Sequence, residues 1–484
     1  MPDMFWWLAV PLASLLLTSA AVYLLAAPLR IKHRAAAPPK DPQVNASLAA
    51  HAADSLSAAI AFQTVSNKDD SNRSYGEWVR LREYLKQRYP LVHRTLDREQ
   101  FGGFSLLYRW RAADPKYPPL LFCGHIDVAP AHEGWTRQPF GGEIAGGCVW
   151  GRGAIDCKSV VVCLLEAAEH LLSEGFEPQR DIFLAFGHDE ELGGEQGAKN
   201  IAKAFVQADM KFDMVLDEGG CLSRAPLPIG RPAAHVCVAE KGRASLRFTA
   251  KDENPQAAVP PKQSALGRLC EAVCRLEYKP VKSRLTPVVR DMLKALAPEL
   301  PLGRRILICH PFLFRGKLLK EMEKHRETNA LVRTTVAPTM AKGSHSPGKM
   351  PETAEFLLNA RLLVGENENA FAQYMAELTQ DLGVEVEIMS VKNPSAVSKY
   401  NTQSFASVRR AIEHVFGPVP VLPSVMASGT DAAHYERFSE CVYRFTPFVL
   451  TPEELAGIHG PDEHIKVQAL GSAVLFYEEL MRGV

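Results

Sequence analysis

The chain has 484 residues, 46% of them hydrophobic, and its 55 lysines and arginines balance 55 aspartates and glutamates. Such a length calls for two folded units plus accessories rather than one small core. Zero net charge leaves no electrostatic footprint for a polyanion, so no nucleic-acid partner is expected.

Residues 5–29 carry no charged side chain and are long enough for the roughly 20 residues that cross a bilayer. Arg30, Lys32 and Arg34 follow this run and only Asp3 precedes it, the reverse of a cleaved signal peptide. The run reads as a single-pass transmembrane anchor, which by the positive-inside rule leaves the folded body in the cytoplasm. Residues 30–44 form a linker, rich in Ala and Pro, and the folded part begins near residue 45. Ten cysteines without a C-x-x-C pair argue against a disulfide framework and for a reducing compartment. Cys123, Cys163 and Cys237 sit in apolar runs and read as packing thiols.

The next two hundred residues alternate apolar strand-like runs at 119–123, 182–186 and 214–216 with helical segments such as 160–174, ended by Gly175. This alternation predicts an α/β class, a mainly parallel mixed sheet flanked by helices. In such a sheet ligands bind beyond the strand C-termini. The first strand ends in Gly124-His125-Ile126-Asp127, where Asp127 can orient the His125 imidazole. Taken alone, a histidine here is more often a structural hydrogen-bonding residue. The turn Trp150-Gly151-Arg152-Gly153-Ala154-Ile155-Asp156 then presents Asp156, whose two oxygens suit either a helix cap or a bridge between two cations. After the strand at 182–186 come His188, Asp189, Glu190 and Glu191, adjacent acids that need a cation or a proton to coexist. A surface acidic turn is the bland alternative. With a metal present, one glutamate can ligate while its neighbour acts as general base. Asp217 follows the strand at 214–216, and Ile458-His459-Gly460 opens a loop before the final helix. Each segment is weak by itself, but together they make the N/O donor set expected for zinc.

Near residue 240 the pattern changes to strict alternation: Ala244, Leu246, Phe248 and Ala250, then Ala354, Phe356, Leu358, Ala360 and Leu362, mark half-exposed strands. Helical stretches at 262–276 and 369–382 and a strand at 384–389 complete a small open-faced α+β unit inserted into the larger one. The basic stretch 279–324 reads as an elaboration of it.

The joint set G-H-x-D-V-x-P, the W-x-x-x-P-F segment at Trp135 to Phe140, G-R-G-x-x-D-x-K, H-D-E-E-x-G-G, D-E-G-G and I-H-G resembles the aminoacylase and carboxypeptidase family of dizinc hydrolases, within it the carboxypeptidase S-like branch. The resemblance covers about residues 50–484. It implies two zinc ions per chain, with cobalt or manganese as substitutes: His125 and Asp217 on one, Glu191 and His459 on the other, Asp156 bridging. Asp127 would orient His125, and Glu190 would deprotonate the bridging water. The fold it implies is a catalytic domain in two segments, 45–239 and 393–484, around a ferredoxin-like lid at 240–392 that supports a homodimer. Arg361, in Asn359-Ala360-Arg361, would pair with the free carboxylate of a small peptide or N-acyl amino acid; outside the resemblance it reads as an exposed strand residue. Two departures fall in the lid. Gln256 stands where the family has a histidine that stabilises the oxyanion, and Gly348 stands where it has an asparagine. His345 is the nearest substitute for the missing histidine. A metal-binding but weakly active or regulatory homologue is the alternative these departures raise.

Overall fold

Unbroken apolar runs such as 120–125 and 182–187, buried at every position, require a sheet covered on both faces, and the computed structural model of the protein builds one. It describes residues 3–32, 45–67, 75–253 and 255–483. Eight strands run in the order Asp97–Phe101, Ser105–Trp110, Ile182–Gly187, Leu120–His125, Met214–Arg224, Val442–Val449, Pro232–Glu240 and Val421–Met426. Along the central strands Leu121, Phe183 and Val215 face one core while Phe122, Leu184 and Leu216 face another. Helices Ala46–Ile60, Lys158–Ser173, Gln403–Phe416 and Val467–Arg482 pack on the second face. Each large apolar side chain so buried contributes about 1.5–3 kcal/mol.

The sheet is mixed, and less parallel than expected. Ile182–Gly187, Leu120–His125, Met214–Arg224 and Val442–Val449 are parallel neighbours, as are Pro232–Glu240 and Val421–Met426. Antiparallel pairing enters through two local hairpins, 97–110 and 214–240, and through the non-local pairs of Ser105–Trp110 with Ile182–Gly187 and of Val442–Val449 with Pro232–Glu240. The strand predicted at 214–216 also continues to Arg224, because residues 222–224 pair with 232–234.

Gly242–Lys251, Thr335–Lys342, Thr353–Leu362 and Glu385–Lys392 form a separate four-stranded antiparallel sheet with helices Ala265–Tyr278 and Glu368–Thr379. Register pairs Leu246 with Leu358 and Phe248 with Phe356, the two rings stacking 4.4 Å apart. The opposite face is solvated and carries Arg247 between Glu355 and Glu387. The strand order, with its two helices, is that of a ferredoxin-like unit.

Helices Pro287–Leu296, Leu302–Cys309, Pro311–Met322 and Arg326–Val332 interrupt that unit. The sequence assigns them to the lid, but their apolar residues Val289, Met292, Leu296 and Leu318 pack on Leu227, Ile229 and Leu422 of the larger body. The hairpin 225–233 offers them an apolar face that the small lid sheet, already covered by its own helices, lacks.

The expected anchor is helical, as Asp3–Arg30. Among the described residues, however, no helix is long and apolar enough to cross a membrane. The side chains of residues 5–13, 15 and 16 of the expected span, and residues 33–44 of the linker, lie outside the described set.

Candidate metal centre

Parallel strands deliver the site. His125 ends the buried strand Leu120–His125 in register with Gly187, so the segment 188–191 emerges beside it. The His125 Nδ1 lies 2.9 Å from the carbonyl of Asp127 and 3.4 Å from its carboxylate. That contact places the Nδ1 proton and leaves Nε2 as the donor. The Asp127 carboxylate does more than face His125: it accepts from Ser66 Oγ at 2.6 Å and from the backbone N–H groups of Glu190 and Glu191, both at 3.2 Å. Despite burial, His125 and these donors hold it below the usual carboxylate range.

Asp156 sits between two imidazoles. Its Oδ1 is 3.1 Å from His125 Nε2, and its Oδ2 is 3.1 Å from His459 Nε2. His459 Nε2 also lies 3.2 Å from Glu191 Oε1, a buried oxygen that receives no hydrogen bond. Two groups of donor atoms therefore share Asp156, namely His125, Asp156 and Cys157, and Asp156, Glu191 and His459, each with atoms within 4.8 Å of one another. Cys157 was not foreseen. Burial pushes its thiol up to about 12, and its sulfur accepts from the His125 N–H at 3.0 Å, so it packs as a neutral thiol.

Glu190 Oε2 is 4.0 Å from His125 Nε2. Burial, reinforced by Asp156, Asp127 and Glu191, pushes its carboxyl up to about 8. Asp217 lies outside both donor groups; its oxygens accept from the N–H of Glu218 at 2.9 Å and of Ala432 at 2.7 Å. Glu218 and Asp431 stand beside it, both raised well above the ordinary range by burial and by neighbouring carboxylates. Glu218 Oε2 and both oxygens of Asp431 are buried without a hydrogen-bond partner. So many orphaned acid oxygens around two imidazole Nε2 atoms fit a cationic occupant, because without one the site must take up protons.

The loops that carry Asp156 and His459 are bolted together by a pair that the sequence did not single out. Glu463 is fully buried and meets Arg152 Nη1 at 2.6 Å, and its oxygens also accept from the N–H groups of Gly153, Ile155 and Asp156. Arg152 Nη2 donates to the carbonyl of Gly460 at 3.1 Å, beside His459. The turn needs its glycines: Gly151 has φ of +146° and a Cβ there would lie 2.8 Å from the Pro139 carbonyl, while Gly153 has φ of +89°. Glu463, four residues after His459, was visible in the I-H-G-P-D-E string, but its partners lie more than 300 residues away.

Arg361 is in neither donor group. It pairs in register with Arg243 on the lid, half-buried, and burial with that second guanidinium lowers its affinity for its own proton. No acid pairs with it among the described residues. Gln256, His345 and Gly348 are exposed on the lid. A cavity of about 920 Å³ opens from Asp156, Glu190 and His459 and extends past Leu227, Leu331 and Leu455.

A model of peptidase family M20/M25/M40 matches residues 121–483. The chain is 33% identical over 438 residues to probable carboxypeptidase S-like 2 of Dictyostelium discoideum, covering 89% of this chain and 84% of that protein. It is 31% identical over 439 residues to the N-fatty-acyl-amino acid synthase/hydrolase PM20D1 of Bos taurus, covering 89% and 87%. The fold is similar to the M20 family metallo-carboxypeptidase Sso-CP2 from Sulfolobus solfataricus, with a TM-score of 0.65 at 18% identity over 89% of this chain and 98% of that one. The protein belongs to peptidase family M20/M25/M40 and is a hydrolase of amide bonds.

Proposed function

We propose that the protein is a dinuclear metalloamidase that cleaves N-acyl amino acids, and small peptides, bearing a free carboxylate. The observation that carries this reading is Asp156, each of whose oxygens faces a different histidine Nε2 at 3.1 Å. One carboxylate set between two imidazoles suits a bridge between two ions, with His125 on one side and Glu191 and His459 on the other. Asp217 belongs with His125 through the resemblance. Zinc suits these N/O donors, and cobalt or manganese can replace it. When bound, such ions acidify a shared water and polarise the scissile carbonyl.

The chain's own residues supply the remainder. Glu190, held by Asp127 through its backbone N–H, takes the proton of the attacking water and returns it to the leaving amine. Arg361, a half-buried guanidinium beside Arg243 with no acid partner among the described residues, suits the substrate carboxylate. The apolar reach of the cavity past Leu227, Leu331 and Leu455 favours a long aliphatic acyl group over a polar peptide side chain, as the name of the Bos taurus relative suggests. The second reading, a metal-holding protein of low turnover, is favoured by exposed Gln256 and Gly348 in place of the family's histidine and asparagine. Pairing of two copies through the lid accords with exposed Ile388, Met389 and Val391 on its edge strand. The uncharged run 5–29 followed by Arg30 and Lys32 supports a membrane-tethered protein with a cytoplasmic body.

The test is Glu190→Gln. The variant is expected to retain about two metal ions per chain and to lose hydrolysis of N-acyl amino acids by about 10²–10⁴-fold. Retained turnover would remove Glu190 from its role, and absence of metal in the unaltered chain would remove the dinuclear reading. Turnover of the unaltered chain that is low until Gln256→His and Gly348→Asn are introduced would select the second reading.

A further inference from the structure

The helix Asp3–Arg30 does not end free; it docks on the inserted helices. Pro28 has no N–H, so the carbonyl of Leu24, four residues earlier, lacks its helical partner. His310 Nε2 lies 3.1 Å from that oxygen, and its ring packs 4.8 Å from Tyr23. Just beyond the helix, the carbonyl of Ile31 accepts from buried Arg305 at 2.8 Å. Leu24 thus meets His310 while Ile31 meets Arg305, so the N-terminal helix lies antiparallel to Leu302–Cys309. His310 closes that helix, and the next one, Pro311–Met322, starts at the same corner.

At that corner Phe312 is 95% exposed and Leu313 is 55% exposed. Leu17, Val22 and Leu29 of the N-terminal helix are exposed too. Arg315, Lys317 and Lys320 follow on the same inserted helix, exposed, and none pairs with an acid among the described residues. A phenylalanine almost wholly in water beside three unpaired cations is costly for a soluble surface and suits a headgroup boundary. The same chain segment then continues into Glu321, Thr328 and Leu331, which line the cavity above the metal centre.

We propose that the corner 302–320 is a second lipid contact: Phe312 and Leu313 enter the acyl boundary of the bilayer while Arg315, Lys317 and Lys320 meet anionic headgroups. This contact seats the cavity-lining segment 321–331 against the membrane, where an acyl chain can pass from lipid to cavity. The inference rests on the membrane placement proposed above, and a second protein, or another copy of this chain, is the competing occupant.

The experiment uses the full chain carrying Cys270→Ser and Cys274→Ser, which removes the two exposed thiols, and Phe312→Cys labelled with an environment-sensitive fluorophore. A matched label at Val259→Cys, exposed on the lid, is the reference. In vesicles of phosphatidylcholine with phosphatidylglycerol, the label at 312 is expected to shift to the blue and to lose about twofold in emission to a shallow nitroxide lipid, while that at 259 does neither. The charge reversals Arg315→Glu and Lys317→Glu are expected to weaken the quenching, and more so with the anionic lipid than without it. A chain that floats with vesicles while position 312 stays water-like overturns this proposal and spares the anchor. A blue shift without lipid quenching overturns it in favour of a protein occupant. A chain that does not float overturns both.

Discussion

Glu463→Ala tests whether the metal centre depends on the buried bolt between its two loops. In the native chain Glu463 meets Arg152 Nη1 at 2.6 Å and accepts from the N–H groups of Ile155 at 2.7 Å, Asp156 at 3.1 Å and Gly153 at 3.3 Å. Both side chains are buried, Arg152 at 1% and Glu463 at 0% exposure. Removing the acid leaves a guanidinium and three backbone donors without their acceptor. Loss of one partner from such a pair costs about 3–5 kcal/mol. At roughly 2–4 °C per kcal/mol, the melting temperature should fall by roughly 6–20 °C, toward the lower end for a body this large. Because Asp156 N–H is among the orphaned donors, metal affinity should drop by about 10–100-fold, the usual effect of losing a group that orients a ligand. Urea denaturation of the metal-loaded and metal-free chain, together with competition against a chromophoric chelator, reads both quantities. The double variant Arg152→Met with Glu463→Leu removes both charges and should recover part of the stability but not the affinity. A loss below about 1 kcal/mol with unchanged metal affinity would refute the reasoning.

Metal loading should release protons. In the metal-free protein, Asp156 and Glu191 push the His459 ring up to about 10; at His125 burial opposes protonation, but Cys157, Asp127 and Asp156 outweigh it, and burial holds the Glu190 carboxyl up to about 8. Both rings are therefore charged near neutral pH and must shed about two protons to bind metal. Raised histidines stabilise the metal-free fold below their unfolded value near 6.5, and this contribution is lost as pH climbs through about 10, while metal affinity rises over the same window. Calorimetry in buffers of different ionisation enthalpy measures the release, and buffer-independent heats would contradict it. Arg361→Ala should raise KM by about tenfold or more for a substrate with a free carboxylate and leave its primary-amide analogue unaffected; equal effects on both substrates would end the assignment.

Much of the centre was legible because a parallel sheet presents the residues after its strands at one edge, and local apolar runs reveal those strands. His125, Asp156, Glu190, Glu191 and His459 were named from such positions and from motif resemblance, and they lie together. Asp217 was named in the same way, yet its oxygens engage Glu218 and Ala432. Asp127 faces His125 Nδ1 as the sequence suggests, and its carboxylate also accepts from the backbone N–H groups of Glu190 and Glu191, which no local pattern shows.

Local periodicity and composition by themselves determined the α/β class, the alternating strands of the small inserted unit and the identity of the acids and imidazoles at strand ends, because each depends on residues within a few positions of one another. Only the tertiary structure decided that Glu463 clamps the 151–156 turn, that Asp431 is a buried orphan beside Asp217, and that helices 287–332 pack on the larger body rather than the lid. Those contacts join segments far apart in the chain, and no local pattern records which buried partner a distant side chain will meet.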